Sequence, residues 1–164
     1  MKIGVLSDTH IPISAKQLSP KSCDGLKSCD LILHAGDIVE LAFLKDLELI
    51  APTKAVRGNM DSPELQARLP ESLVIEVEGK RIGLVHGSGP ANKITHTVGA
   101  IFDKRIDIVI FGHSHTPLNQ KYGNILFFNP GSPTDKVFAP YRSYGIIEIS
   151  KNGEVKAEIV KVED

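Results

Sequence analysis

The chain has 164 residues, of which 41% are hydrophobic and 24% charged, and a formal net charge of −1. That make-up suits a single globular domain, 1–164, with enough core to fold without disulfide staples. The near-neutral balance excludes a broad basic face for extended nucleic acid or an anionic membrane, and no run is long enough to span a membrane.

In chain order, the apolar run Lys2–Leu6 predicts a buried strand, and it is too short for a signal peptide. A helix is predicted within Ala15–Lys27, followed by a strand at Leu31–His34. Cys23 and Cys29 lack zinc-ribbon or C-x-x-C spacing and read as reduced thiols of a cytoplasmic protein. The helix within Glu40–Ala51 carries Leu41, Leu44, Leu47 and Ile50 on one face and ends before Pro52. Next come a strand at Lys54–Val56, a helix within Pro63–Arg68, and strands at Leu73–Val77 and Arg81–His86 joined by the turn Glu78-Gly79-Lys80. A helix within Ala91–Lys104 is weakened by Thr95, Thr97, Val98 and Gly99. Strands follow at Asp107–Phe111, Ile125–Asn129, Ser143–Ile149 and Glu154–Val160, with hairpin turns at Tyr122-Gly123-Asn124 and Lys151-Asn152-Gly153. The early alternation of strand and helix implies parallel strands with crossover helices, and the later hairpins add antiparallel ones. About nine strands suit an α/β fold of two stacked mixed sheets with helices outside.

Polar clusters punctuate the ends of these runs: Asp8-Thr9-His10, Gly36-Asp37, Gly58-Asn59-Met60-Asp61, His86-Gly87, Gly112-His113-Ser114-His115 and Asn129-Pro130-Gly131-Ser132. Each is a weak signal alone. Together, and each at a strand end, the first five bring Asp8 and Asp37, four histidines and Asn59 towards one sheet edge, where open α/β folds gather ligands. Those donors suffice to hold two divalent cations side by side.

The ordered motifs D-x-H, GD, GN, HG and GHSH resemble those of the calcineurin-like metallophosphoesterases, and specifically the small single-domain bacterial and archaeal phosphodiesterases. The resemblance extends from the N-terminus to Ser132. It implies a four-layer α/β/β/α sandwich with a two-metal site. Carried over by motif, Asp8, His10 and His115 bind one ion, Asn59, His86 and His113 bind the other, and Asp37 bridges them. Asp37, Asn59 and His86 are then the expected catalytic residues. The implied reaction is phosphodiester hydrolysis by a hydroxide bridging the two ions. By formal counting such a site keeps a charge of about +1, which attracts a phosphate anion. Mixed nitrogen and oxygen ligation favours manganese, iron, nickel or zinc over magnesium, and manganese is the expected activating ion in an assay. The expected substrate is small and phosphorylated, and relatives of this size form homodimers or larger homo-oligomers.

One position departs from that pattern. Many relatives carry histidine where this chain has Met60, and that histidine stabilises the transition state or protonates the leaving oxygen. A thioether does neither, so esters with acidic leaving groups, such as aryl phosphodiesters, are the expected substrates. Outside the ligand set, His34 reads as a structural hydrogen-bonding residue beneath the metals. His96 and Arg57 are candidates for contact with substrate, against the plainer readings of a surface histidine and a surface ion pair. The alternatives to a phosphodiesterase are a nucleotide phosphatase, or a non-catalytic scaffold like the retromer subunit that shares this look. The seven intact ligand positions favour the enzyme.

Overall fold

A computed structural model describes residues 1–103 and 105–163. Lys104, the predicted end of the fourth helix, and Asp164, the last residue of the predicted domain, lie outside the described residues. The first half runs β1 (Lys2–Leu6), α1 (Pro20–Lys27), β2 (Leu31–His34), α2 (Leu41–Ile50), β3 (Thr53–Ala55) and α3 (Pro63–Arg68). The second runs β4 (Ser72–Val77), β5 (Lys80–Val85), α4 (Ile94–Gly99), β6 (Ile108–Ile110), β7 (Leu118–Tyr122), β8 (Ile125–Asn129), β9 (Ser143–Ile149) and β10 (Val155–Lys161).

The strands form two five-stranded mixed sheets, ordered β10-β9-β1-β2-β3 and β4-β5-β6-β8-β7. In the first, β1, β2 and β3 are parallel, with Val5 opposite Leu33 and Leu33 opposite Lys54. In the second, β5, β6 and β8 are parallel. Ile3, Val5 and Ile147 of one sheet join Ile82, Ile110 and Phe128 of the other in a central core. Leu26, Leu44, Leu47 and Leu65 cover the outer face of the first sheet through α1, α2 and α3. Ile94 and Val98 of α4 pack with Val109 and Phe127 against the outer face of the second. The result is the expected α/β/β/α sandwich. The parallel strands of both sheets end at the edge where the polar clusters lie, as a ligand site in such a fold requires.

Local chemistry sets the boundaries. α1 starts at Pro20, not near Ala15, because proline fits only the first turn of a helix and the Ser19 side chain caps it by accepting from Ser22 N–H. Ser62 and Pro63 open α3 in the same way. α4 has only six residues, which fits its β-branched composition and terminal Gly99. β7 has no counterpart among the predicted strands. Its sequence LNQKY is polar, and it is an edge strand whose last four residues are exposed. It gains order from pairing with β8, with Leu118 opposite Asn129 and Tyr122 opposite Ile125. The turn at Tyr122-Gly123-Asn124 is its hairpin.

Candidate metal centre

Asp8 and His10 follow β1, Asp37 follows β2, Asn59 follows β3, His86 follows β5, and His113 and His115 follow β6. Ligand atoms of Asp8, His10 and His115 all lie within 4.8 Å of one another, and those of Asp8, Asp37 and His86 do the same. Asp37 Oδ2 stands 3.4 Å from His10 Nε2 and 3.4 Å from His86 Nε2, between the two clusters. Asn59 Oδ1 lies 3.1 Å from His86 Nε2, and the His113 ring packs edge-on against His86 at 5.3 Å. The seven residues predicted as metal ligands are therefore neighbours. Asp8 belongs to both tight clusters, so it and Asp37 share the central position that the motif gave to Asp37 alone.

The backbone is bent to achieve this. Asp8, His10, Asp37, His113 and His115 all have φ between 43° and 65°, the left-handed region that residues with a side chain rarely occupy. Each such residue costs on the order of 1 kcal/mol, and clusters of them mark functional sites. Two glycines permit the close approach. A Cβ on Gly58 would lie 2.2 Å from Asp37 Oδ1 and 2.4 Å from the Asp37 backbone nitrogen. One on Gly112 would lie 1.7 Å from Ser7 Oγ and 2.7 Å from Asp8 Oδ2.

Hydrogen bonds hold the donors in place. His113 N–H donates to both carboxylate oxygens of Asp8, and Met60 N–H donates to Asp37 Oδ1 at 2.8 Å. Asp61 joins two loops by accepting from Val39 N–H and Gly58 N–H, each at 2.7 Å. The segment from Asn129 to Ser132 forms a wall behind the site: Asn129 Nδ2 donates to Gly112 O, and Ser132 Oγ donates to Asp8 O. His34 lies beneath, fully buried, with Nδ1 accepting from Gly36 N–H and Nε2 bonded to Thr9 Oγ1.

The imidazoles are oriented as ligands need to be. His86 Nδ1–H donates to Ala35 O at 2.7 Å, which turns Nε2 towards Asp37. His115 Nδ1–H donates to Asp135, which turns Nε2 towards Asp8 Oδ1 at 3.4 Å. Burial opposes charge on His115, but the Asp8 and Asp135 carboxylates outweigh it and raise its pKa to about 9. Burial is likewise outweighed at His86, whose pKa is raised by Asp37 and Asp8, and at Asp37, whose pKa is lowered by His86. His113 is pushed down by burial and by His86. The two carboxylates thus demand positive charge between them, which divalent cations would supply. His10 Nε2 is buried without a hydrogen-bond partner, as expected of a nitrogen reserved for a metal. The residues fit the group.

Asp135 escaped the sequence reading. A lone aspartate in a loop has no periodicity or motif to mark it; only the fold brings it to His115. The two substrate-contact candidates part company. Arg57 lines a cavity of about 320 Å³ together with Asn59, His86 and His113, although its guanidinium also bonds Gln66 O and pairs with Glu71 at 3.6 Å. His96 is exposed on α4 and lines neither this cavity nor the one beside it. That second cavity, about 280 Å³, is lined by His10, Asp37, Asn59, Met60, His113, Ser114, His115 and Phe138.

Comparison with known proteins agrees with this geometry. A probable metallophosphoesterase of Methanothermobacter thermautotrophicus is 38% identical over 82% of this chain and 78% of its own. A phosphodiesterase of Methanocaldococcus jannaschii is 26% identical over 80% of this chain and 83% of its own. Vps29 of Entamoeba histolytica complexed with zinc superposes with a TM-score of 0.75 at 26% identity, covering 98% of this chain and 99% of that one. Residues 1–152 match the calcineurin-like phosphoesterase superfamily domain, and the chain belongs to that metal-dependent family of phosphoester hydrolases.

Proposed function

We propose that the chain is a phosphodiesterase that hydrolyses small phosphodiesters at a two-cation centre. The observation that carries this reading is Asp37 Oδ2, equidistant at 3.4 Å from the Nε2 atoms of His10 and His86. A carboxylate so placed suits a bridge between two ions, with Asp8, His10 and His115 on one side and Asn59, His86 and His113 on the other. When bound, a divalent pair supplies a hydroxide nucleophile near neutral pH and offsets charge on the phosphate. Manganese is our choice of activating ion for the assay; the mixed nitrogen and oxygen donors suit nickel, iron(II) or zinc equally.

The chain's own residues do the rest. Asp135 and Ala35 fix two imidazoles through their Nδ1–H groups, so the ligand set is held before substrate arrives. Two cavities flank the cluster and share Asn59 and His113. A diester has two substituents, and one cavity for each supports a diester over a monoester. Arg57, partly neutralised by Glu71, is poorly suited to the second charge of a terminal phosphate. Met60 is 48% exposed in one cavity, where it offers no proton to a leaving oxygen. Acidic leaving groups are therefore favoured. The relatives named as phosphodiesterases support the same class.

A screen of divalent metals against phosphodiesters and phosphomonoesters tests this, with metal analysis of the purified protein and Asp37→Ala as control. Manganese-stimulated turnover of bis-aryl phosphodiester, lost in Asp37→Ala, is expected. The likeness to Vps29 favours one second reading, a non-catalytic scaffold. A protein that stays inert towards every ester with each added divalent metal, whether or not it binds the ion, would support it.

A further inference from the structure

We infer that Phe138 and Met60 form an apolar clamp that selects substrates whose ester substituent is a planar aromatic ring. The inference rests on the phosphodiester reading and names the substrate class within it. Phe138 is 80% exposed, yet it lines the same cavity as His10, Asp37 and His115, and its ring meets the His115 ring edge-on at 6.5 Å.

The loop beneath it is built, not loose. Asp135 Oδ1 accepts from Val137 N–H at 2.8 Å and from Phe138 N–H at 3.1 Å, and Oδ2 accepts from Ala139 N–H at 3.1 Å. The same carboxylate orients His115. One side chain thus ties the position of the ring to that of a ligand. In the same cavity the Met60 thioether adds a polarizable apolar surface, and sulfur and aromatic rings attract. The other cavity sets Arg57, Gln66 and Glu71 beside Val85 and Ile101 and, among the described residues, holds no aromatic ring other than those of His86 and His113, so only the Phe138 side offers a phenyl face to a diester substituent. A flat ring on the Phe138 side gains stacking that an alkyl group of equal volume does not. The ring can come from a simple aryl ester or from a nucleobase.

Kinetics and binding test this separately. With manganese, Phe138→Ala is expected to lower kcat/KM for a methyl aryl phosphodiester about tenfold, mostly through KM. A methyl fluoroalkyl phosphodiester of matched leaving-group acidity should change less than about twofold, and Phe138→Tyr should restore the aryl rate. The chain contains no tryptophan, so Phe138→Trp places its only tryptophan on the clamp, excited at about 295 nm to leave the three tyrosines dark. Its fluorescence is titrated with three non-hydrolysable phosphinates bearing benzyl, thymin-1-ylmethyl or cyclohexylmethyl groups. Tighter binding of benzyl than of cyclohexylmethyl supports a simple aryl source, and tightest binding of the thymine compound supports a nucleobase. Equal affinities for all three overturn the proposal, as does an equal kinetic loss on both esters. Sedimentation of Phe138→Ala completes the test: dissociation of an oligomer with unchanged ester preference makes the ring a subunit contact and overturns the clamp. If the wild type turns over neither ester, the hydrolytic reading fails, while the titration still decides the clamp.

Discussion

His34 offers a quantitative test of how the site is supported. It is fully buried, and both ring nitrogens are already committed. Nδ1 accepts from Gly36 N–H at 3.1 Å, so the ring proton sits on Nε2 and is donated to Thr9 Oγ1 at 3.0 Å. Thr9 Oγ1 in turn donates to Asp37 O at 3.4 Å. A second proton would set N–H against N–H at Gly36, in a place without solvent. Burial accordingly lowers the His34 pKa to about 3. An unfolded chain takes up this proton near pH 6.5, and the folded one does not until far below. Stability contributed by neutral His34 is thus present above pH 6.5 and is lost as pH falls below it. Between pH 7 and pH 5 the loss is about 2 kcal/mol, and any folded pKa below about 4 gives the same figure. The assay is urea unfolding at pH 7, 6 and 5, in chelator, of the wild type and of His34→Gln. Glutamine can still donate to Thr9 but does not titrate. The variant is expected to be less stable at pH 7 and to lose about 2 kcal/mol less than the wild type on going to pH 5. Parallel losses in the two proteins, within about 0.5 kcal/mol, would refute the account of a ring held neutral.

Other outcomes follow from the same geometry. Asp135→Asn removes the charge behind His115 and is expected to weaken manganese affinity roughly 10- to 100-fold by calorimetry, with a small change in Tm. Gly58→Ala drives a methyl group into the Asp37 backbone and should cost about 1–3 kcal/mol in chemical denaturation, along with loss of activity. Met60→His restores an acidic hydrogen at the cavity wall. Its rate gain should be larger for alkyl than for aryl phosphodiesters, up to the 10²–10⁴-fold that general acid catalysis commonly supplies, in stopped or continuous assays across a leaving-group series.

The layers and the convergence of the seven donors were legible because both depend on pattern. Buried parallel strands such as Leu31–His34 are apolar runs, and short polar motifs at their ends mark one edge of the sheet. Elements whose order comes from neighbours were not legible. β7 is a strand because β8 offers it a ladder, while its own residues read as loop. Within the span Ala15–Lys27 the helix occupies only Pro20–Lys27, because capping by Ser19 fixes its start. Asp135 and Phe138 lie in a segment with neither period nor motif. Their roles arise only when β8 and β9 deliver that segment to His115. His96, ten residues beyond His86 along the chain, is exposed on α4, in keeping with the plainer reading of a surface histidine.

The five left-handed donors set heat resistance and metal capture against each other. Replacing His10, whose Nε2 faces Asp37 but makes no hydrogen bond, by glycine removes both a backbone penalty and an unsatisfied nitrogen. In chelator that variant is expected to melt about 2–4 °C higher than the parent while forfeiting its cation. Screening such chains for thermal endurance alone would therefore dismantle the centre first, and engineering for robustness should leave these bends untouched and work on the outer helices.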